Sequence, residues 1–440
     1  MSGSAVGLSP ESILAELIRI NTTNPPGQET SVACYLKDLF DSQGIPNQII
    51  EPEPGRASFV ATLGSGEKAL LFLSHTDVVP PGDGWDFDPF GGEIKSGMVL
   101  GRGALDCKSL VAAEAWALIQ LHHQSSLNGR LTFIAAADEE RGGKLGVEFL
   151  IANHPELFQV DFAINEGAEE PVILNDCPLY FIQIGEKGMA QAKLTARGIS
   201  CHGSVPSLGE NAVVKMARAL ARLADYQPQS VIIPEVLSLL KELAHELGFE
   251  SRHPQEMLSK ILDSLPDRNL REDIRALTQM TISPNVINGG LKANIVPDHC
   301  TAEVDIRVLP GQSQDYVTDV LDKLLGKSVE FNIPNFQAPT ISPSDSPYFR
   351  LLAQTITDVV EQSARRWTSR VRCVPWISAG GTDSRFLRRA NIPAYGIAVM
   401  TPDFPPELRS TVHGKNERID ISSVRLMARW LVTLAHNYLK

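Results

Sequence analysis

His75 and Asp77 lie two residues apart in Ser74-His75-Thr76-Asp77, directly after a predicted buried strand. In extended chain, residues i and i+2 project to the same side. That spacing suits a metal-bound imidazole whose other ring nitrogen is held by the carboxylate. The plain alternative is a hydrogen-bonded strand end with no further role. Asp106 stands in Gly101-Arg102-Gly103-Ala104-Leu105-Asp106-Cys107-Lys108, just ahead of a predicted helix. It either caps that helix or bridges two cations with its two oxygens. Ala137-Asp138-Glu139-Glu140-Arg141-Gly142-Gly143 closes the most apolar predicted strand. Consecutive carboxylates at a buried strand end repel and desolvate one another, and a divalent cation would compensate them. A solvated acidic turn is the alternative. Asn165-Glu166-Gly167 repeats the arrangement at the next strand end. His413 lies in Thr411-Val412-His413-Gly414, between the last predicted strand and the last helix.

Each piece is weak alone, but together they describe one chemistry. Loops at strand C-terminal ends are where open α/β sheets place ligands. Imidazole and carboxylate donors without thiolate suit a catalytic zinc pair better than a structural cysteine site. In two-metal hydrolysis the cations sit about 3.5–4 Å apart, clamp a water and polarise a carbonyl. Other eye-catching residues have ordinary explanations. Cys107 reads as a buried small hydrophobe. His122 and His123 end a helix, where cationic side chains are favourable. Gly101-Arg102-Gly103 lacks the GK[ST] context of a phosphate loop.

The elements that must position these residues alternate. Ser9-Pro10-Glu11 opens a helix with apolar residues at Ile13, Leu14, Leu17 and Ile20. A second helix is expected from about Glu29 to Ser42. Strands are expected at Ser58–Leu63, Ala69–Ser74, Arg130–Ala137 and Val160–Asn165, with helices at Leu110–His122 and Val147–Asn153. Such alternation implies a mostly parallel sheet with helices on both faces. After Gly185 the rhythm changes. Met189–Ala196 alternates apolar and polar, as a half-buried strand does. Residues 226–280 are helical and heavily charged. Residues 187–334 therefore read as an inserted α+β domain, and helix, strand and helix in 335–440 complete the sheet begun in 1–186.

A chain of 440 residues is too long for one compact core and comfortable for two domains. With 40 Lys+Arg against 52 Asp+Glu the net charge is −12, which argues against nucleic acid or an anionic membrane as the main partner. No apolar run approaches the roughly 20 residues a bilayer span needs. The start, MSGSAVGLSPES, has neither a basic opening nor a long apolar stretch, so no secretory signal is expected. Six scattered cysteines without a CxxC pair fit reduced thiols in a cytoplasm.

The sequence resembles the dinuclear zinc peptidase family that holds aminoacylase, carboxypeptidase G, carboxypeptidase S, acetylornithine deacetylase and succinyl-diaminopimelate desuccinylase. SHTDVVP, GRGALDCKS, DEERGG, NEG, GISCHGSVPSLGENA, NVINGGLKANIVP, EVDIRVLPG, SAGGTDSRF and TVHGKNE match in the family's order, over nearly the whole chain. The resemblance implies a catalytic domain carrying an inserted lid and dimerisation domain. It implies two zinc ions per subunit, with cobalt or manganese able to substitute. His75, Asp106 and Glu166 would bind one zinc, and Asp106 would bridge to a second held by Glu140 and His413. Glu139 would be the general base, Asp77 would orient His75, and His202 would reach the partner subunit's active site and stabilise the oxyanion. Asn294, Arg307, Gly380, Gly381 and Thr382 would bind the substrate, Arg307 taking a free carboxylate. Asn-Glu-Gly at Asn165–Gly167 resembles the Asp-Glu-Gly of the aminoacylase and carboxypeptidase S branch. The implied activity is hydrolysis of an N-acyl-amino acid or of a peptide at its free carboxylate end, by a cytoplasmic homodimer. A dipeptidase, or a deacetylase or desuccinylase of the same family, is the alternative.

Overall fold

The computed structural model describes residues 8–124, 127–167, 170–363, 367 and 370–440. The first seven residues, on which the absence of a leader was read, lie outside them. Ser9 opens the chain's first helix, Pro10–Arg19, with a capping box in which its hydroxyl accepts the Ser12 amide. The helix buries Ile13, Leu14, Leu17 and Ile18, each contributing about 1.5–3 kcal/mol of transfer free energy. It ends at Arg19, several residues before the Asn24–Gly27 turn.

The large sheet has ten strands among the described residues. At its centre Arg130–Ala136, Ala69–His75, Phe162–Asn165 and Ala394–Gly396 run parallel to one another. Arg56–Leu63 and Asn47–Glu53 extend one side antiparallel. Cys177–Glu186 lies on the other side, with Arg372–Ser378 parallel to it. The continuous apolar run Ala69–His75 is buried at every position because layers cover both faces. Helices Pro10–Arg19, Lys108–Gln124 and Ile421–Leu439 pack against one another over this sheet's core.

The small sheet is antiparallel, in the order Thr281–Gly289, His299–Val308, Gly188–Arg197, Glu330–Gln337. Ala190, Ala192, Leu194 and Ala196 point into its own core, beneath helices Ala212–Asp225 and Gln314–Leu325. The chain enters this sheet through Lys187. A Cβ at the neighbouring Gly188 would lie 2.6 Å from the Gln337 carbonyl, where the chain leaves again.

Within 187–334 the structure draws a distinction that charge content does not reveal. Helices Pro234–Glu246, Pro254–Ser264 and Arg268–Leu277 bury Leu239, Leu240, Leu243, Ile261, Leu270 and Ile274 in the large-sheet core. The first of them lies on strand Arg372–Ser378. Their polar residues face water while a narrow apolar stripe docks, which is ordinary for surface helices.

Candidate metal centre

His75 is the last residue of its strand and is buried. Its Nδ1 lies 2.9 Å from the Asp77 carbonyl oxygen and 3.5 Å from Asp77 Oδ1, which fixes the ring. Nε2 is thereby turned to Asp106 Oδ1 at 3.0 Å and Glu166 Oε2 at 3.6 Å. The Asp77 carboxylate does more than hold this ring. Its oxygens accept the amides of Glu139 and Glu140 at 3.1 Å each, and Asn24 Nδ2 at 2.8 Å.

The acidic turn is built on Asp138, whose φ of +71° reverses the chain at the strand end. Aspartate tolerates that region better than most residues. The Asp138 carboxylate is pinned by Arg56 at 2.6 Å and by the Leu145 amide at 3.0 Å. Arg56 is itself held by both oxygens of the buried Glu29. Glu139 and Glu140 then fall in a single 3₁₀ turn, side by side. Glu166 follows the next strand, where Gly167 has φ +112° and a Cβ would collide with Gln183 Oε1.

Asp106 joins the two halves of the centre. Its Oδ1 faces His75, and its Oδ2 lies 3.0 Å from His413 Nε2. His413 Nε2 is also 3.4 Å from Glu140 Oε1, a buried oxygen without a hydrogen-bond partner. Two groups result, His75–Asp106–Glu166 with the Cys107 thiol nearby, and Asp106–Glu140–His413. Within each, the ligand atoms lie within 4.8 Å of one another. The sequence-expected ligands thus converge, sharing one carboxylate. Burial pushes the Cys107 thiol well above its usual pKa, so it is a neutral neighbour rather than a thiolate.

The acids crowd one another. Burial, then the charges of Glu166 and Asp383, push Glu139 well above the usual carboxylate range. Burial chiefly, with Asp106 and Glu140 adding, pushes Glu166 up to about 7. Burial also acts to raise Asp106, but hydrogen bonds from His413 and His75 outweigh it and hold the group low. Bare side chains would have to take up protons here, and divalent cations offset the same repulsion. The unpartnered Glu140 oxygen and the all-imidazole and carboxylate donor set fit a pair of such ions.

The chain belongs to peptidase family M20/M25/M40, whose sequence pattern matches residues 71–437. This makes it a metallopeptidase or amidohydrolase of that family. It is 29% identical over 361 residues to the probable succinyl-diaminopimelate desuccinylase of Staphylococcus aureus, covering 80% of this chain and 81% of that one. It is 28% identical over 432 residues to the human N-fatty-acyl-amino acid synthase/hydrolase PM20D1, covering 92% and 81%. Its fold matches that of the M20 family metallo-carboxypeptidase Sso-CP2 from Sulfolobus solfataricus. The TM-score is 0.73 over 98% of this chain and 99% of that one, at 21% identity.

In this M20 chain a cavity of about 390 Å³ has Asp106, Glu139, Glu140, Glu166 and His413 on one wall. Lys187, Arg307, Gly381, Thr382 and Arg385 also line it. Arg307 shares its guanidinium with Asp305 at 2.7 Å and lies 3.5 Å from the Ala379 carbonyl. Thr382 gives its amide (3.0 Å) and hydroxyl (2.7 Å) to the Glu186 carboxylate, and the Gly380 amide goes to Ser378 Oγ. His202 and Asn294 do not line this cavity. They neighbour each other on the exposed part of the small-sheet unit, where the Gly203 amide donates to the Asn294 carbonyl.

Besides Asn24, Arg56 and Glu29, three more supporting residues escaped the sequence reading. Glu417 accepts the Leu105 and Asp106 amides with one oxygen (2.7 and 3.1 Å) and pairs with Arg102 through the other at 2.5 Å. Arg102 also donates to the Gly414 carbonyl, beside His413. One buried ion pair therefore ties the Asp106 loop to the His413 loop. Arg385, buried on the cavity wall, lies 3.8 Å from Glu139. The charged residues inside GRGALD, SAGGTDSRF and TVHGKNE were the available signal.

Proposed function

We propose that the protein is a dinuclear zinc amidohydrolase that cleaves the amide bond of an N-acyl-amino acid or peptide with a free carboxylate. The observation that carries this is Asp106, with one oxygen turned to the His75 group and the other to the His413 group. His75, Asp106 and Glu166 would hold one ion and Asp106, Glu140 and His413 the other, with cobalt or manganese able to substitute. When bound, such ions supply Lewis acidity toward the scissile carbonyl and a nucleophilic water at neutral pH. Glu139 belongs to neither ligand group and faces the cavity. It takes the proton of the attacking water on its carboxylate and returns it to the leaving nitrogen. Asp77 holds the His75 ring by Nδ1 and the two glutamates by their amides. Arg307, which lines the same cavity, anchors the substrate carboxylate.

The small-sheet unit acts as lid and dimerisation surface. Its edge strand Thr281–Gly289 exposes Val286 and Ile287, and Leu291 beyond it is 97% exposed. That apolar fringe beside His202 and Asn294 supports a homodimer in which both residues complete the partner's site. All six cysteines are free thiols, which supports a reducing, cytoplasmic setting. No helix among the described residues is long and apolar enough to cross a membrane.

The direct test is Glu139→Ala. Metal content should stay at two ions per chain while turnover of N-acyl-amino acids falls by about 10²–10⁴-fold. Turnover within a few fold of the parent removes Glu139 as the base. Similarity to the desuccinylase favours N-succinyl-diaminopimelate as a second reading, and the same assay with that substrate decides between them.

A further inference from the structure

A second cavity, of about 330 Å³, shares the Asp106 and Glu166 walls with the first but differs in character. Leu110, Ile397, Met400, Phe404, Val412 and Met427 line it, and five of the six are buried. The cationic group on its wall, Arg409, faces Asp273 at 3.1 Å and Glu170 at 3.8 Å. Burial pushes the Glu170 carboxyl above its ordinary range, the direction expected beside apolar walls. The two cavities meet at the carboxylates that would hold the ions. A scissile carbonyl placed there has the charged chamber that holds Arg307 on one flank and an apolar chamber on the other.

We infer that the apolar chamber is the acyl subsite, and that it takes an unbranched aliphatic acyl group of several carbons in preference to succinyl. The inference rests on the hydrolase reading above, with Arg307 taking the carboxylate in the first cavity. A chamber of this size falls within the usual range of small-molecule sites, roughly 300–1,000 Å³. A succinyl carboxylate entering it would be desolvated among Leu, Ile, Met and Phe side chains, close to Glu166 and Glu170. An alkyl chain gains with every methylene it buries there.

The test is a series of N-acyl-L-alanines, from acetyl through butanoyl and hexanoyl to octanoyl, with N-succinyl-L-alanine, on zinc- or cobalt-loaded enzyme. kcat/KM should rise about fourfold per buried methylene until the chamber is full, with succinyl below butanoyl. Octanoate should inhibit competitively at lower concentration than succinate. Ala398 also lines the chamber, and Ala398→Phe should lower the octanoyl-to-acetyl ratio at least tenfold. A flat or falling series on an active enzyme, or succinyl as the best substrate, overturns the acyl assignment and leaves the hydrolase reading standing. No turnover of any N-acyl-alanine or dipeptide by metal-loaded enzyme overturns that reading and the assignment with it.

Discussion

The ligand cluster and the His202 surface are built on opposite terms. Around Asp106 buried partners hold the ring of His75 and the backbone of the other two loops: Asp77 for His75, Glu417 for the Asp106 amide, Arg102 for the Gly414 carbonyl beside His413. The His202 side chain is exposed, and its hydrogen bonds are local, to Ser204 two residues away. Rigid preorganisation suits groups that must hold cations at fixed spacing. Exposed, locally tethered groups suit a donor that arrives on closure and meets charge appearing only in the transition state. The first region is thus preorganised as it stands, whereas the second would act only once closure or a partner brings a site to it.

The sharpest way to break that contrast is to remove the residue shared by both ligand groups. Asp106→Ala should drop bound metal below one ion per chain by elemental analysis. Activity should fall by at least about 10⁴-fold, beyond the loss expected from a missing general base. Retention of two ions would show that the cluster is not centred on Asp106.

The next step targets the buried pair behind it. Arg102→Met leaves the Glu417 carboxylate uncompensated in a wholly buried position. Such half-broken pairs cost about 3–5 kcal/mol. The melting temperature should fall by several degrees in the metal-free protein, and metal affinity by about 10–100-fold. An unchanged affinity would mean the pair supports the fold alone.

That pair also marks where reading the sequence stopped. Arg102 and Glu417 are 315 residues apart, and no local pattern announces a partnership over that distance. His75, Glu140 and Glu166 were legible because each closes or follows a buried apolar strand, as at Arg130–Ala136 and Phe162–Asn165, whereas Asp106 and His413 stand in loops and were marked out by the family resemblance. Helix Val147–Asn153 was legible to the residue. Cys177–Glu186 was not, although all ten residues are buried, since a run holding Pro178 has neither a period of two nor one of 3.6. Arg372–Ser378 was masked by Pro375, which is tolerated because, among the described residues, the strand pairs on one side only. The stretch 226–280 was legible as helical and charged, but that does not say which of two cores receives the apolar side of each helix.

On the exposed side of the comparison, His202→Ala should leave thermal stability within about 0.5 kcal/mol, as for surface positions generally. It should lower kcat by about 10²–10³-fold, the cost of losing one oxyanion donor. Mixing this variant with a Glu139→Ala subunit should restore part of the activity if the site is shared between chains. Absence of rescue would place His202 outside the partner's site.

The smallest expected effect concerns how His202 is prepared for that role. The Ser204 amide lies 3.2 Å from His202 Nδ1, and an amide can only donate. Nδ1 must therefore accept, which leaves the proton of the neutral ring on Nε2, the nitrogen free to donate to an oxyanion. The Ser204 hydroxyl, 2.7 Å from the same nitrogen, adds a second donor. Because the backbone amide alone sets the tautomer, and water competes at this exposed site, Ser204→Ala should cost kcat less than about threefold, the lower end of a hydrogen bond's net worth. A loss as large as that of His202→Ala would show that the hydroxyl, not the amide, holds the ring, and that His202 is as tightly positioned as His75 is by Asp77.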